Sequence, residues 1–300
     1  MDELFEYLQL NLPGRVKRNE ILAAHTTLKI GGPADLFVLA ENQDDLRLLI
    51  TEADKRKIPL FILGNGSNLL ISDRGIRGLV VKLTGEFKNI VLNGCEITAG
   101  AGAMLPVLAV RTAKAGLSGL ELLAGIPGTV GGALVMNAGA LGQCIGDAVR
   151  SVTVFDRTGQ VKVLSREEMA FAYRRSILQA RDYLIAAVKL SLSPGEGEEL
   201  QKNLQAAVAK RKRSQPLSMP NAGSIFRNPK GFAAGRLIEE LGFKGFKQGQ
   251  AAVSELHANF IVNEGGATAQ DVLQLIKLIQ SRVQEKYHIL LEPEIKVIGE

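Results

Sequence analysis

Two short glycine-rich segments limit the folds open to this chain more than any other feature. Residues 64–70 read GNGSNLL and residues 125–132 read GIPGTVGG. In the first segment, glycine lets peptide N–H groups approach a ligand without interference from a Cβ atom, and Ser67 and Asn68 add side-chain donors. This chemistry suits a bound pyrophosphate, although a lone Gly-x-Gly-Ser is more often a tight structural turn.

The strand predicted at residues 59–63 leads directly into the first segment, as in a dinucleotide-binding fold. That fold needs Gly or Ala at the sixth position of its fingerprint, where this chain has Leu69, and a helix directly afterwards, which is not predicted. Residues 100–105 fail the same test at Leu105, and no Gly-Lys-Ser/Thr phosphate loop is present. The sequence therefore argues against both standard nucleotide folds.

The second segment continues into residues 136–140, MNAGA. The whole stretch is too rich in glycine for an ordinary helix or strand interior, so we expect its backbone to approach another group closely. Two separate backbone-lined segments in one chain suit an extended cofactor such as FAD.

Length and composition set further bounds. A chain of 300 residues suits about two domains, and turn-forming and acidic residues at 193–198 mark the expected boundary. The acidic N-terminus and the lack of an apolar run of about 18 residues favour a cytoplasmic protein. Two cysteines outside any Cys-x-x-Cys pattern predict neither a disulfide framework nor a metal site. The net charge of +5 suits a polyanion or a small anionic substrate equally.

Local patterns predict the secondary structure. Apolar spacing predicts helices over residues 44–57 and 105–115, and Ser165 with Glu168 has the capping-box spacing of a helix start. A charged helix is expected to end at residues 210–213, and an amphipathic helix to follow a Thr268 cap. Strands are predicted at residues 59–63, 79–81, 95–98, 151–155, 160–164 and 289–298, with 151–155 and 160–164 joined as a hairpin.

The order of the motifs resembles the UDP-N-acetylenolpyruvoylglucosamine reductase (MurB) family. The similarity runs from about residue 24 to the C-terminus and rests on residues 27–34, 64–70, 119–121, 125–132, 137–139, 173–176, 221–229 and 291–295. Only residues 177–183 separate Ser176 from the next strand, too few for the tyrosine-bearing loop of one branch, so the chain resembles the shorter second type.

The resemblance implies an α+β fold. It implies an FAD-binding domain of the vanillyl-alcohol-oxidase (PCMH) type over residues 1–195, with lobes at about 1–80 and 81–195, and a substrate domain over residues 196–300. It also implies noncovalent FAD, NADPH as reductant, and reduction of the enolpyruvyl ether of UDP-N-acetylglucosamine to UDP-N-acetylmuramate.

The same resemblance assigns site residues. The expected FAD-binding residues are Gly64, Asn65, Gly66, Ser67, Asn68, Leu69, Gly125, Ile126, Pro127, Gly128, Thr129, Gly131, Gly132, Asn137, Ala138 and Gly139. The expected catalytic residues are Ser224 as proton donor, with Arg174 and Glu294 facing the substrate carboxylate. The expected substrate-binding residues are Tyr173, Arg213, Asn228 and His257.

These roles suit the reaction. Hydride addition to the vinyl CH₂ leaves an enediolate on the carbon that bears the carboxylate, and an arginine fork can bind such a group at two points. A serine is a weak acid, but an enediolate carbon is basic enough to take its proton in a water-poor site. We expect Glu294 to be protonated, or its charge countered by Arg174, when the substrate binds.

Pattern reasoning leaves alternatives open at several positions. Ser224 also fits a structural turn, and Arg175 suits a carboxylate as well as Arg174 does. Glu292 and Glu294 share one face if they lie on a strand, and only the resemblance selects Glu294.

The basic run at residues 210–213 fits a solvated helix end, a contact to a diphosphate or uridine, or, least well, a nucleic-acid contact. Two other functions compete with the reductase. They are an FAD-dependent oxidase on the same fold and a non-enzymatic basic binding module.

Overall fold

The computed structural model describes all residues, 1–300, and combines helices with strands. The chain forms two compact units. The first comprises residues 1–18, 36–65 and 78–211, and the second comprises residues 19–35, 66–77 and 212–300. The expected functional boundary between residues 195 and 196 stays a prediction, because compactness alone does not show which residues bind which ligand.

The first unit contains a five-stranded antiparallel sheet. Its strands, in spatial order, are Val161–Ser165, Val149–Phe155, Leu184–Ser191, Glu96–Gly100 and Ile90–Asn93. Phe155 pairs with Val161, which confirms the predicted hairpin. A four-stranded sheet has the order Val16–Ile21, Pro33–Ala40, Ile76–Leu83 and Leu60–Ile62, with the last two parallel.

Helices and short pairings complete the first unit. The helices are Asp2–Asn11, Gln43–Lys55, Leu105–Lys114, Val130–Met136, Ile145–Ala148 and Gly197–Ser214, with short 3₁₀ turns at Gly85–Lys88, Glu121–Leu123 and Ile177–Gln179. Residues 212–214 of the last helix are counted with the second unit. Two-residue strands pair as Leu117–Ser118 with Ser193–Pro194 and as Gly139–Ala140 with Gln143–Cys144. The segment expected to mark the domain boundary, residues 193–198, therefore lies partly in a strand pairing. The unit has one continuous aliphatic core.

The second unit has its own core and its own sheet. The sheet has the antiparallel order Asn221–Ser224, Phe260–Asn263, Ala251–Val253 and Lys247–Gln248, and Leu69–Ile71 pairs in parallel with Lys296–Ile298. The remaining elements are the helices Ala234–Glu240 and Ala269–Tyr287 and the 3₁₀ turn Leu22–His25. The apolar stripe of Ala269–Tyr287 is buried as predicted, at Val272, Leu275, Ile276, Ile279 and Val283. No helix of the chain is long and apolar enough to span a membrane.

Two predictions of secondary structure were wrong. The capping box forms at Ser165, whose hydroxyl accepts from the Glu168 N–H at 3.3 Å. No helix follows it, because Ala170 takes a left-handed φ of 46° and the chain makes only a turn. Gly131 and Gly132 lie in the first turn of the helix Val130–Met136 and not in a helix interior, as expected for so glycine-rich a stretch.

The last strand spans only Lys296–Ile298 instead of residues 289–298. The backbone before it bonds a neighbouring loop instead: Arg227 N–H donates to the Glu292 carbonyl, and Glu294 N–H donates to the Ile225 carbonyl at 2.7 Å. Pro293 has no N–H with which to continue a ladder.

Replacing Thr268 by alanine is expected to lower the free energy of unfolding by about 1 kcal/mol. Thr268 Oγ1 accepts from the Asp271 N–H at 3.1 Å, and Asp271 Oδ2 accepts from the Thr268 N–H at 2.9 Å. Urea denaturation measures the loss, and Thr268→Ser, which keeps the hydroxyl, is the control. An equal loss in both variants would show that the hydrogen bond is not the cause.

Candidate active site

A cavity of about 690 Å³ opens in the first unit. Its wall includes five of the residues expected to bind the cofactor: Gly64, Asn65, Thr129, Gly131 and Gly132. Apolar side chains such as Leu63 and Ile185 form much of the rest. This volume lies within the roughly 300–1,000 Å³ typical of small-molecule and cofactor sites.

The two glycine-rich segments meet at this cavity. Asn65 Nδ2 donates to the Pro127 carbonyl at 2.6 Å. A Cβ atom on Gly64 would lie 2.8 Å from Thr129 Oγ1 and one on Gly131 would lie 3.1 Å from Ala101 Cβ, so the backbone packs closely against its neighbours at both positions. A wall of glycine backbone and apolar side chains fits the flat rings and the diphosphate of FAD.

Basic and polar side chains that the sequence analysis did not select also line the cavity. They come from separate segments, and no local motif marks them. They are Lys82, Lys88, Arg157, Arg181, Asp182 and Tyr183. Arg157 and Asp182 form an exposed ion pair at 3.1 Å.

The rest of the first glycine-rich segment belongs to the second unit. Gly66 has a left-handed φ of 62°, and a Cβ atom there would lie 2.6 Å from the His25 carbonyl. Asn68 Nδ2 donates to the Glu294 carbonyl at 3.1 Å, and Leu69 begins the strand Leu69–Ile71. The amide of Asn68 therefore positions the backbone of Glu294. Ser67 lies between these residues.

The other expected FAD-binding residues of the first unit do not line the 690 Å³ cavity. They are Gly125, Ile126, Pro127, Gly128, Asn137, Ala138 and Gly139. Asn137 adopts a left-handed φ of 41° at the end of the helix Val130–Met136, accepts from the Gly146 N–H at 3.1 Å and donates to the Ala172 carbonyl at 3.0 Å. It therefore anchors the turn that carries Arg174.

Arg174 lies in a tight turn closed by two hydrogen bonds between the backbones of Ala172 and Arg175. Its φ is 54°, a left-handed value that costs free energy for a non-glycine residue and occurs often at functional sites. Its Nη2 donates to the Gly139 carbonyl at 3.1 Å, and its side chain is half-buried, whereas Arg175 is exposed. Tyr173, 58% exposed, has its ring centroid 5.2 Å from Arg174 Cζ.

Ser224 and Glu294 lie close together in the second unit. Ser224 ends the strand Asn221–Ser224, after a left-handed Gly223 with φ of 76°. Glu294 N–H donates to the carbonyl of Ile225, the residue that follows Ser224. Glu294 is half-buried, whereas the side chain of Glu292 is 71% exposed and is paired with Arg227 at 3.5 Å. The geometry therefore favours Glu294 over Glu292 as a site residue.

The remaining substrate-binding candidates differ in their hydrogen bonds and burial. Asn228 Oδ1 accepts from the Ala234 N–H at 3.0 Å. His257 Nδ1 accepts from the Asn259 N–H at 3.2 Å, and burial lowers the pKa of His257, which favours the neutral ring with its proton on Nε2. Arg213 is exposed on the helix Gly197–Ser214.

Comparison with known proteins gives the family. A model of the C-terminal domain of UDP-N-acetylenolpyruvoylglucosamine reductase matches residues 215–298, and a model of an FAD binding domain matches residues 34–165. The UDP-N-acetylenolpyruvoylglucosamine reductase of Caldanaerobacter subterraneus subsp. tengcongensis is 46% identical over 300 residues, covering 100% of this chain and 98% of that protein. The chain belongs to the UDP-N-acetylenolpyruvoylglucosamine reductase family.

Other members support the same assignment. The reductase of Moorella thermoacetica is 47% identical, covering 98% of this chain and 96% of that protein. The crystal structure of the Thermus caldophilus reductase aligns with a TM-score of 0.84 at 42% identity, over 95% of this chain and 99% of that chain. The predicted fold class, an α+β chain with an FAD-binding domain of the vanillyl-alcohol-oxidase type and a C-terminal domain, is confirmed.

Proposed function

We propose that this protein is an FAD-dependent reductase that converts UDP-N-acetyl-3-O-(1-carboxyvinyl)glucosamine into UDP-N-acetylmuramate for peptidoglycan synthesis, with NADPH as reductant. The observation that carries the proposal is the 690 Å³ cavity built by both glycine-rich segments. The names of the family relatives support the substrate. We place the reaction in the cytoplasm, where UDP-sugars and NADPH are supplied.

The cavity residues fit noncovalent FAD, which would carry hydride from NADPH to the substrate. Gly64, Asn65 and Thr129 would hold it in the first unit, where the lack of Cβ atoms allows close backbone approach. Residues 1–195 would form the FAD domain and residues 196–300 the substrate domain.

Arg174 would bind the substrate carboxylate. Its guanidinium has a fixed fork of donors, and one of them already bonds the Gly139 carbonyl, which orients the group. When hydride reaches the vinyl CH₂, the C=C electron pair moves onto the neighbouring carbon and its carboxylate. A fixed positive charge lowers the free energy of that enediolate more than that of the starting alkene.

Ser224 would complete the reduction by donating its hydroxyl proton to the carbon that bears the carboxylate. The serine alkoxide would then recover a proton from water. Glu294 is held beside this region by its backbone bond to Ile225 and would face the carboxylate in its protonated form, as a hydrogen-bond donor.

The remaining candidates would bind the rest of the substrate. Tyr173 and Arg213 are exposed and would contact the nucleotide part of the substrate. Neutral His257 would donate from Nε2, because Nδ1 already accepts from a backbone N–H. Asn228 would donate from its amide nitrogen, since its oxygen is bonded to Ala234.

An anaerobic spectroscopic titration tests the function. The purified protein is expected to show a flavin spectrum, to bleach with NADPH, and to recover its colour when the enolpyruvyl substrate is added, with UDP-N-acetylmuramate found by mass spectrometry. If the colour of the reduced flavin returned rapidly in air but not with the enolpyruvyl substrate, the protein would be an oxidase. A protein that binds no flavin after soaking with FAD would favour the non-enzymatic binding module.

Changing Glu294 to glutamine is expected to retain most of the activity, because an amide keeps a hydrogen-bond donor toward the substrate carboxylate. Glu294→Ala is expected to lower kcat/KM by about tenfold to a hundredfold, the loss expected from one charge-assisted hydrogen bond. Steady-state kinetics compares the two variants, with Glu292→Gln as the exposed control. Equal losses in the glutamine and alanine variants would contradict the donor role.

A further inference from the structure

Arg211, on the helix Gly197–Ser214, carries a buried polar atom without a partner. Its Nε is buried and has no hydrogen-bond partner. A buried guanidinium nitrogen without an acceptor costs free energy, and no carboxylate offsets that cost here. Burial lowers the pKa of Arg211, and the positive charge of Arg174 lowers it further.

The second glycine-rich segment makes room for this side chain. A Cβ atom on Gly125 would lie 2.9 Å from Arg211 Cδ, so the arginine stem packs directly against the bare backbone at that position. Gly125 therefore accommodates a protein side chain, in addition to any role toward a cofactor.

Arg211 and Arg174 carry like charges, and both lie against the glycine-rich stretch of residues 125–139. Arg174 bonds the Gly139 carbonyl, and Arg211 packs on Gly125. Two guanidinium groups repel each other, and an anion that lies between or beside them offsets that repulsion. The exposed neighbours Lys212 and Arg213 need no such partner, because water solvates them.

We propose that Arg211 is a second guanidinium of the anion site at Arg174 and binds the carboxylate of the substrate, including the enediolate that forms from it. This inference rests on the proposed function. The enediolate carries almost two negative charges, and two arginines match that charge where one does not. A single-point cation such as lysine reproduces only part of the interaction, because it lacks the planar fork.

Half-reaction kinetics on the holoenzyme tests the inference. Arg211→Met should lower the rate of reoxidation by the enolpyruvyl substrate by about tenfold to a hundredfold, while the rate of flavin reduction by NADPH stays unchanged. Arg211→Lys should recover part of the loss. Lys212→Met, exposed on the same helix, is the matched control.

Two further measurements separate this role from others. The Kd of UDP-N-acetylglucosamine, which has the diphosphate but no carboxylate, should not change in Arg211→Met. The Tm should stay equal or rise, because methionine removes a buried Nε that has no hydrogen-bond partner. An equal weakening of UDP-N-acetylglucosamine binding would assign Arg211 to the diphosphate. Unchanged kinetics of Arg211→Met, or a Tm lowered in both Arg211→Met and Arg211→Lys, would make Arg211 a structural residue. Failure of the unsubstituted protein to react would instead overturn the proposed function.

Discussion

Ser224→Ala is expected to lower the rate at which the enolpyruvyl substrate reoxidises the NADPH-reduced protein by at least about 10³-fold. Alanine removes the hydroxyl that donates the final proton and leaves the backbone of the strand Asn221–Ser224 unchanged. Flavin reduction by NADPH needs no proton at the substrate carbon, so its rate should be unaffected. Anaerobic stopped-flow absorbance measures the two half-reactions separately.

A cysteine and a distant serine supply the controls for this variant. Ser224→Cys keeps a proton donor and should retain more activity than Ser224→Ala, whereas Ser218→Ala changes an exposed serine of the same unit. If Ser224→Ala reoxidised at the normal rate, water or another side chain would be the proton donor, and the assigned role of Ser224 would be wrong.

Arg174→Met is expected to lower kcat/KM for the enolpyruvyl substrate by roughly 10²–10³-fold, the loss typical of one group that stabilises developing negative charge. The loss should fall on kcat as well as KM, because the enediolate carries more negative charge than the substrate carboxylate. Arg174→Lys keeps the charge but loses the fork, so it should recover only part of the activity. Steady-state kinetics with both variants measures these effects.

The adjacent arginine is a matched control for this prediction. Arg175 is exposed, whereas Arg174 is half-buried and bonded to Gly139, so Arg175→Met should leave the kinetics unchanged. The opposite result, with a large loss in Arg175→Met alone, would reassign the carboxylate contact to Arg175. Circular dichroism of both variants would show that the turn itself is retained.

Much of the local structure could be predicted because its signals are short-range. The cap at Thr268, the hairpin of Val149–Phe155 with Val161–Ser165, and the helix Gln43–Lys55 each depend on residues a few positions apart. The capping box at Ser165 shows that a local signal does not always predict the element that follows. Its hydrogen bonds form, but a left-handed Ala170 ends the turn before a helix develops.

Long-range backbone bonds explain the predictions that failed. The strand expected over residues 289–298 does not form in its first part. There the backbones of Glu292 and Glu294 form hydrogen bonds with the loop at residues 225–227, about seventy positions earlier in the chain. Such pairings leave no periodic trace in either segment, so apolar alternation predicted a longer strand than the one that forms.

The sequence alone predicted that two glycine-rich segments serve an extended cofactor, argued against both standard nucleotide folds, and indicated which family the motifs resemble. Only the tertiary structure showed that Arg174 and Glu294 are half-buried whereas Arg175 and Glu292 are exposed. It also showed that Arg211, unlike the exposed Arg213, has a buried Nε without a hydrogen-bond partner. It also brought Gly64, Asn65 and Thr129 to one cavity with basic residues from other segments. The reason is physical: residue types and their spacing are local properties, whereas burial and side-chain direction depend on contacts between distant parts of the chain.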